Sequence, residues 1–201
     1  MFTRLLTFRG VTDIEAGTGY LREEVLPILE SQRGFRGVSA FADGMGDLVT
    51  ILSLWETEAD RSASDSALGK SRNVALKLAG AAGFEVENFE EVLHVSAEPS
   101  VTGRVLNVVR VRMAPVSLVD NITWFKESIA PMITSQVGFS ALSNMVDWET
   151  GRAISGSVFV NKECADASLA AIPERRAAAE DRGITFESIN QREVLLSQPY
   201  Q

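Results

Sequence analysis

Apolar positions along the chain switch between a period of two and a period near 3.6, and the switches mark out its elements. Phe2–Arg9 alternates as a strand, with Phe2, Leu6 and Phe8 on one face and Leu5 on the other, so both faces are expected to be covered. Asp13 is placed to cap a helix whose apolar positions Tyr20, Leu21, Val25, Ile28 and Leu29 carry it to Gln32. Gly34 supplies the left-handed turn that follows. Inside that helix Pro27 removes the bond to the Glu23 carbonyl and predicts a kink, a cost of ~3 kcal/mol if nothing compensates. Residues 38–42 and Leu48–Trp55 read as strands joined by the turn DGMGD. A second helix is predicted over 58–79 with Ala67, Val74, Ala75 and Leu78 as its thin apolar seam, and residues 84–95 close the series as a fourth strand.

The pattern then repeats. EVLPILESQRGF, from Glu24 to Phe35, returns as SIAPMITSQVGF, from Ser128 to Phe139. Adding 104 to each number superposes Pro27 on Pro131, Ser31 on Ser135, Gln32 on Gln136, Gly34 on Gly138 and Phe35 on Phe139. Five identities in these twelve positions exceed chance agreement, so the chain reads as one module written twice. The second copy predicts a strand over 105–113, a helix over 117–136, strands over 139–146 and 153–161, a helix over 163–182 broken at Pro173, and a last strand over 184–196. The expected boundaries are 1–95 for the first domain, 96–104 for a linker and 105–201 for the second domain.

Each copy has the order β-α-β-β-α-β of the ferredoxin-like, split βαβ arrangement. Two helices cover one face of such a sheet and leave the other bare. Several Leu, Val and Phe side chains at ~1.5–3 kcal/mol each make covering that face the expected outcome. The fold class follows: α+β, two ferredoxin-like βαββαβ units fused in tandem, their antiparallel sheets packed as an intramolecular dimeric α+β barrel.

Composition narrows the partners. The chain has 201 residues with 45% hydrophobic and 23% charged residues, an ordinary balance for a globular protein. Its formal net charge of −8 and the absence of a Lys/Arg cluster argue against a nucleic-acid partner. No apolar run approaches the ~20 residues that span a bilayer, so no membrane association is expected. Arg4 and Arg9 interrupt the apolar N-terminus, unlike a signal peptide, and the single cysteine, Cys164, cannot form an internal disulfide. A cytoplasmic location is the expectation. The sequence holds no metal-ligand spacing, glycine-rich phosphate loop or Ser/His/Asp signature.

Three segments carry a resemblance to a known family. TGYLREEVLPILESQRGFRG and ILSLWETEADRSASD in the first half, and FKESIAPMITSQVGFSAL in the second, resemble the antibiotic biosynthesis monooxygenase (ABM) domain family of dimeric α+β barrels. The second half departs from the pattern at VFVNKECADASL, which lacks the tryptophan at the strand end. The resemblance implies a small, largely apolar pocket, at most one of the two still working, and a hydrophobic or phenolic small molecule as partner. It also implies either a cofactor-independent monooxygenase or a non-catalytic protein of the same fold that binds a small molecule or serves an interaction role. Haem-degrading relatives place an Asn on the first strand and a Trp and a His on the second helix. Asn107 stands at the strand position, matching Arg4 in the first half, but neither second helix has Trp or His, so no haem or other cofactor is expected. The chain is expected either as a monomeric pseudo-dimer or as a homo-oligomer.

The candidate residues follow. Asn107 either faces a substrate oxygen or satisfies a neighbouring backbone group, and His94, the sole histidine, is either a general base or a packed or solvent-facing side chain. Trp55 is either a pocket wall or an anchor for the second helix. Tyr20 and Trp124 hold matched helix positions, with substrate contact and shared packing both open. Arg4, Arg110 and Arg112 sit on first strands, where a buried charge needs either a carboxylate partner or an anionic substrate group.

Overall fold

The computed structural model describes residues 1–97 and 102–198. The strands are β1 (Phe2–Arg9), β2 (Phe35–Ala42), β3 (Leu48–Trp55), β4 (Gly83–Ser96), β5 (Val105–Arg112), β6 (Phe139–Val146), β7 (Arg152–Phe159) and β8 (Thr185–Gln198). The α-helices are α1 (Ile14–Tyr20), α2 (Leu26–Glu30), α3 (Glu58–Leu78), α4 (Leu118–Trp124), α5 (Ala130–Thr134), α6 (Lys162–Ala170) and α7 (Ile172–Glu180). Hydrogen-bonded neighbours run β1-β3-β2-β8-β5-β7-β6-β4 and the ring closes, giving the expected α+β class as an eight-stranded barrel. Residues 98–101, at the centre of the expected 96–104 linker, lie outside the described residues.

The chain forms two compact units, Met1–Asn88 with the end of β8 from Glu193, and Phe89–Arg192. In the first, β1 and β2 flank β3, with Phe2 opposite Trp55 and Val38 opposite Ser53, and Glu193 to Gln198 pair with β2. In the second, β5 and β6 flank β7, with Val105 opposite Phe159, and Glu90 to Ser96 pair with β6. Each unit has its own apolar core. Phe8, Val49 and Ala75 belong to one, and Leu118, Val146 and Ala153 to the other.

Both prolines of the repeated segment sit in the first turn of a short helix, after a stretch of π-helix. Leu21–Val25 and Phe125–Ile129 are wound one residue wider per turn, so Leu26 N–H bonds to the Leu21 carbonyl and Ala130 N–H to that of Phe125. The wide turn brings Pro27 and Pro131 to a position where a missing N–H is tolerated. Gly34 and Gly138 then turn the chain at φ +70° and +72°. Asp60 and Cys164 pack so close that a Cβ on either glycine would collide.

Of the seam expected on α3, Ala75 is buried, whereas Ala67, Val74 and Leu78 are exposed. Val74 and Leu78 are 41% and 44% exposed, and the buried face is Arg61, Ser64, Leu68, Ser71 and Ala75. The physical reason is Arg4: a guanidinium buried on β1 needs polar partners, and α3 turns its small hydroxyls and a carbonyl toward it. The helix expected over 163–182 is two helices, with the break at Ala171 and Pro173 in the first turn of α7.

The hairpin between β6 and β7 rests on Asp147. Its carboxylate accepts from the Thr150 hydroxyl, from Glu149 N at 3.0 Å and from Thr150 N at 3.1 Å, with Arg152 at 3.7 Å. Burial favours the neutral acid, but these hydrogen bonds and Arg152 outweigh it and hold the carboxyl below the ordinary 3.8. A depressed acid contributes stability above its unfolded value and loses it as pH falls through the folded one. Asp147→Ala is expected to lower stability by ~1–3 kcal/mol at pH 7. In urea denaturation the gap from wild type shrinks as pH falls below 3.8, because the part that depends on the carboxylate charge is lost.

Candidate functional site

Each unit holds a cavity between its sheet and its helices. The first has about 70 Å³ open to the centre of a water molecule, the second about 110 Å³. Their walls correspond. Arg4, Leu6, Tyr20, Leu21, Val25 and Ser53 in the first unit match Asn107, Val109, Trp124, Phe125, Ile129 and Ser157 in the second. The π-helical turns therefore form part of both walls. A small, largely apolar pocket was expected in at least one half, and both halves hold a cavity.

The register fixes the key position. Arg4 lies opposite Ser53 on β3 as Asn107 lies opposite Ser157 on β7. Arg4 Nη2 donates to the Arg61 carbonyl at 2.7 Å, and Asn107 Nδ2 donates to the Ala165 carbonyl at 2.9 Å. The two side chains thus hold the same point of the second helix by different chemistry. Because a carbonyl only accepts, the amide of Asn107 has one orientation, and its Oδ1 is left buried with no partner among the described residues. Arg4 also donates from Nη1 to Ser64 Oγ at 2.8 Å and pairs with Asp65 Oδ2 at 2.9 Å, leaving Nε buried and unpartnered among the described residues.

Around Asn107 the second cavity is aromatic and amide-rich, with Trp124, Phe125, Phe186, Asn121 and Asn144 in its wall. Asn121 Oδ1 accepts from Arg182 Nε at 3.0 Å, and Arg182 lies over the Trp124 ring at 5.1 Å, which fixes the indole. Among the described residues Arg175 is the one charged side chain of this wall. It reaches back across the helix break to the carbonyls of Ala171 at 3.2 Å and Ser168 at 3.0 Å, the second of which also accepts from Ala171 N–H. Burial lowers its pKa and neighbouring Glu174 opposes that shift.

The remaining candidates are dispersed. Trp55 is fully buried outside both cavity walls, edge-on to Phe35 at 5.6 Å, and donates from Nε1 to Ser53 Oγ at 3.0 Å. His94 is exposed on β4, with Nδ1 3.3 Å from Glu91 Oε1, and lines neither cavity. Arg112 pairs with Glu187 at 2.7 Å. Cys164 lies in the first turn of α6, whose N-cap is Asn161. Tyr20 and Trp124 line matching walls.

Sequence reasoning passed over Arg175, Asn121 and Asn144. Arg175 reads as a solvated residue of an alanine-rich helix until the break at Ala171 is known. The two asparagines carried a readable signal, since the +104 shift sets them against Gly17 and Ala40.

Solved structures share this arrangement over nearly the whole chain. An anthrone oxidase-like protein superposes at TM-score 0.67 and 17% identity, covering 98% of this chain and 92% of its own. A ferredoxin-fold protein related to antibiotic biosynthesis monooxygenases from Listeria monocytogenes gives 0.55 and 8%, over 97% and 95%. The chain has their fold. It is the fold of ABM-like monooxygenases. A haem-degrading enzyme of Listeria monocytogenes has it too, at TM-score 0.56 and 6% identity over 96% and 99%. No family model matches the sequence. Two uncharacterized proteins of Mycobacterium tuberculosis are similar in sequence. One is 26% identical over 160 residues, 79% of this chain and 71% of that protein. The other is 30% identical over 148 residues, 73% of this chain and 62% of that protein. Among the described residues no helix is long and apolar enough to cross a membrane.

Proposed function

We propose that the second unit binds an electron-rich phenol or enol in its cavity and that the protein is a monooxygenase that oxidises it with molecular oxygen, without a cofactor. The observation that carries this reading is Asn107 Oδ1, a buried acceptor without a partner among the described residues, set in an aromatic wall. A hydroxyl donor satisfies it, and the hydrogen bond adds electron density to the ring that must reduce oxygen. Arg175 supplies positive charge to a phenolate or enolate inside a low-dielectric site. The shared fold with an anthrone oxidase-like protein supports the substrate class. For an anthrone the balance is simple: the ring methylene loses two hydrogens and gains one oxygen atom, and the second oxygen atom leaves with those hydrogens as water. The substrate is oxidised and dioxygen reduced. His94 has no part in this reading.

One observation favours the rival reading, a non-catalytic binder of the same ligands. Among the described residues the second cavity wall contains no carboxylate, histidine or lysine to take the hydroxyl proton. Dissolved oxygen followed over a panel of anthrones and hydroxylated naphthacenes separates the two. Uptake that follows protein concentration supports the monooxygenase, and thermal stabilisation without uptake supports the binder. Asn107→Leu is expected to weaken phenol binding about tenfold or more, the loss of a buried hydrogen bond to a substrate hydroxyl, read by calorimetry. Unchanged affinity in a folded Asn107→Leu protein overturns the assignment of Asn107.

A further inference from the structure

The first unit's cavity has a buried cation, Arg4, at the strand position where the second has the neutral amide of Asn107. Arg4 is 4% exposed, and of its five N–H donors the Nε–H has no partner among the described residues. The structural task at this position is to hold a carbonyl of the second helix. Asn107 performs that task in the second unit with a short neutral amide. The charge of Arg4 and its spare donor exceed what the carbonyl at Arg61 requires.

The surroundings are short of negative charge. Among the described residues the ion pairs of Arg4, Arg61 and Arg72 are with Asp65 and Glu58, three cations on two carboxylates in a chain whose net charge is −8. Asp65 divides its two oxygens between Arg4 and Arg72 and is half exposed to water. Burial lowers the Arg4 pKa to about 10; Asp65 opposes the shift, while Arg72 and Arg61 add to it. The rest of the wall is mostly apolar, with Leu6, Phe8, Leu21 and Ile51, and its polar members include Arg72 and Ser53.

We infer that the first unit's cavity is a binding site for a small apolar carboxylate, one oxygen of which accepts from Arg4 Nε while the hydrocarbon part lies against this wall. A carboxylate supplies the missing negative charge and the missing acceptor together. The two cavities thus sort ligands by polarity: the first takes an acceptor and the second a donor.

The test uses the full chain with octanoate and octylammonium, probes of equal length and opposite charge, in calorimetric titrations. Octanoate is expected to bind about tenfold or more tightly than octylammonium. The Arg4 Nε–H resonance, assigned by its loss in Arg4→Met, is expected to move as octanoate is added. Asp65→Asn, which removes a half-exposed competing carboxylate, is expected to tighten octanoate binding several-fold. Equal affinity for the two probes, or an unmoved Arg4 resonance with octanoate bound, overturns the inference. Should Arg4→Met fail to fold, the Asp65→Asn titration decides alone: tighter binding supports the site, and unchanged or weaker binding removes it. The Asn107 side-chain amide reports the second cavity in the same spectra, so the fate of this inference is read separately from that of the phenol site.

Discussion

Trp55→Ala is expected to lower the unfolding free energy by ~3–5 kcal/mol while leaving ligand affinity in the first cavity unchanged. The indole is fully buried, edge-on to Phe35, in a cluster with Leu29, Val38 and Leu68. Truncation removes its contacts with that cluster and opens a void that close-packed neighbours fill only in part. It also strips Ser53 Oγ of its donor. The cavity wall contains Ser53 but not Trp55, so the loss falls on stability. Urea denaturation measures the first effect and octanoate titration the second. A loss below ~1 kcal/mol together with abolished binding would return Trp55 to the pocket, the alternative that its sequence position left open.

Arg4→Met is expected to behave in the opposite sense, with stability unchanged or raised by ~1–4 kcal/mol. Removing one partner of a buried ion pair is costly when the other charge is stranded in the interior. Here it is not stranded, since Asp65 is half exposed and keeps Arg72. Ser64 Oγ still donates to the Arg61 carbonyl at 2.6 Å, so that acceptor remains satisfied. Methionine fills the same apolar channel without a charge to desolvate or an N–H to leave unmade. Chemical denaturation of the variant distinguishes the two roles of the arginine. A loss of ~3–5 kcal/mol would mark Arg4 as a structural ion-pair member; retained stability with lost octanoate binding would mark it as a ligand group kept at some cost to the fold.

The sequence displayed its elements clearly where a period met a strong boundary. Leu48–Trp55 and Phe139–Val146 begin and end in the structure where alternation begins and ends in the sequence. The helix with Pro27 was legible as a helix with a defect, but the form of the defect was not. One proline is compatible with a kink, a break or a widened turn, and packing against the sheet selects among them. The face of α3 was misread because hydrophobicity ranks Val74 above Ser64, whereas a guanidinium on a neighbouring strand reverses the ranking. That partnership joins residues 4 and 64, and no local window contains both.

The site was legible to a similar depth. Arg4 and Asn107 were paired as first-strand positions through the family resemblance, where the +104 shift alone would set Arg4 against Val108, and the structure places them at one register position in their two units. What each leaves unsatisfied depends on the second helix standing over the strand, a distance that spacing along the chain does not encode. Arg175 required the break at Ala171, and the position of Trp55 outside the cavity wall required the packing of Phe35.

The sharing of β8 bears on how the molecule is made. The segment from Glu193 to Gln198 is the last described part of the chain, yet it pairs along β2 and sets Val194, fully buried, into the first unit. On a ribosome the first unit emerges early with β2 lacking this partner, a state in which an open strand invites pairing with other nascent chains. Pairing of β2 with Glu193 to Gln198 waits for that segment to leave the exit tunnel, so the first unit cannot complete its sheet until the second has been synthesised.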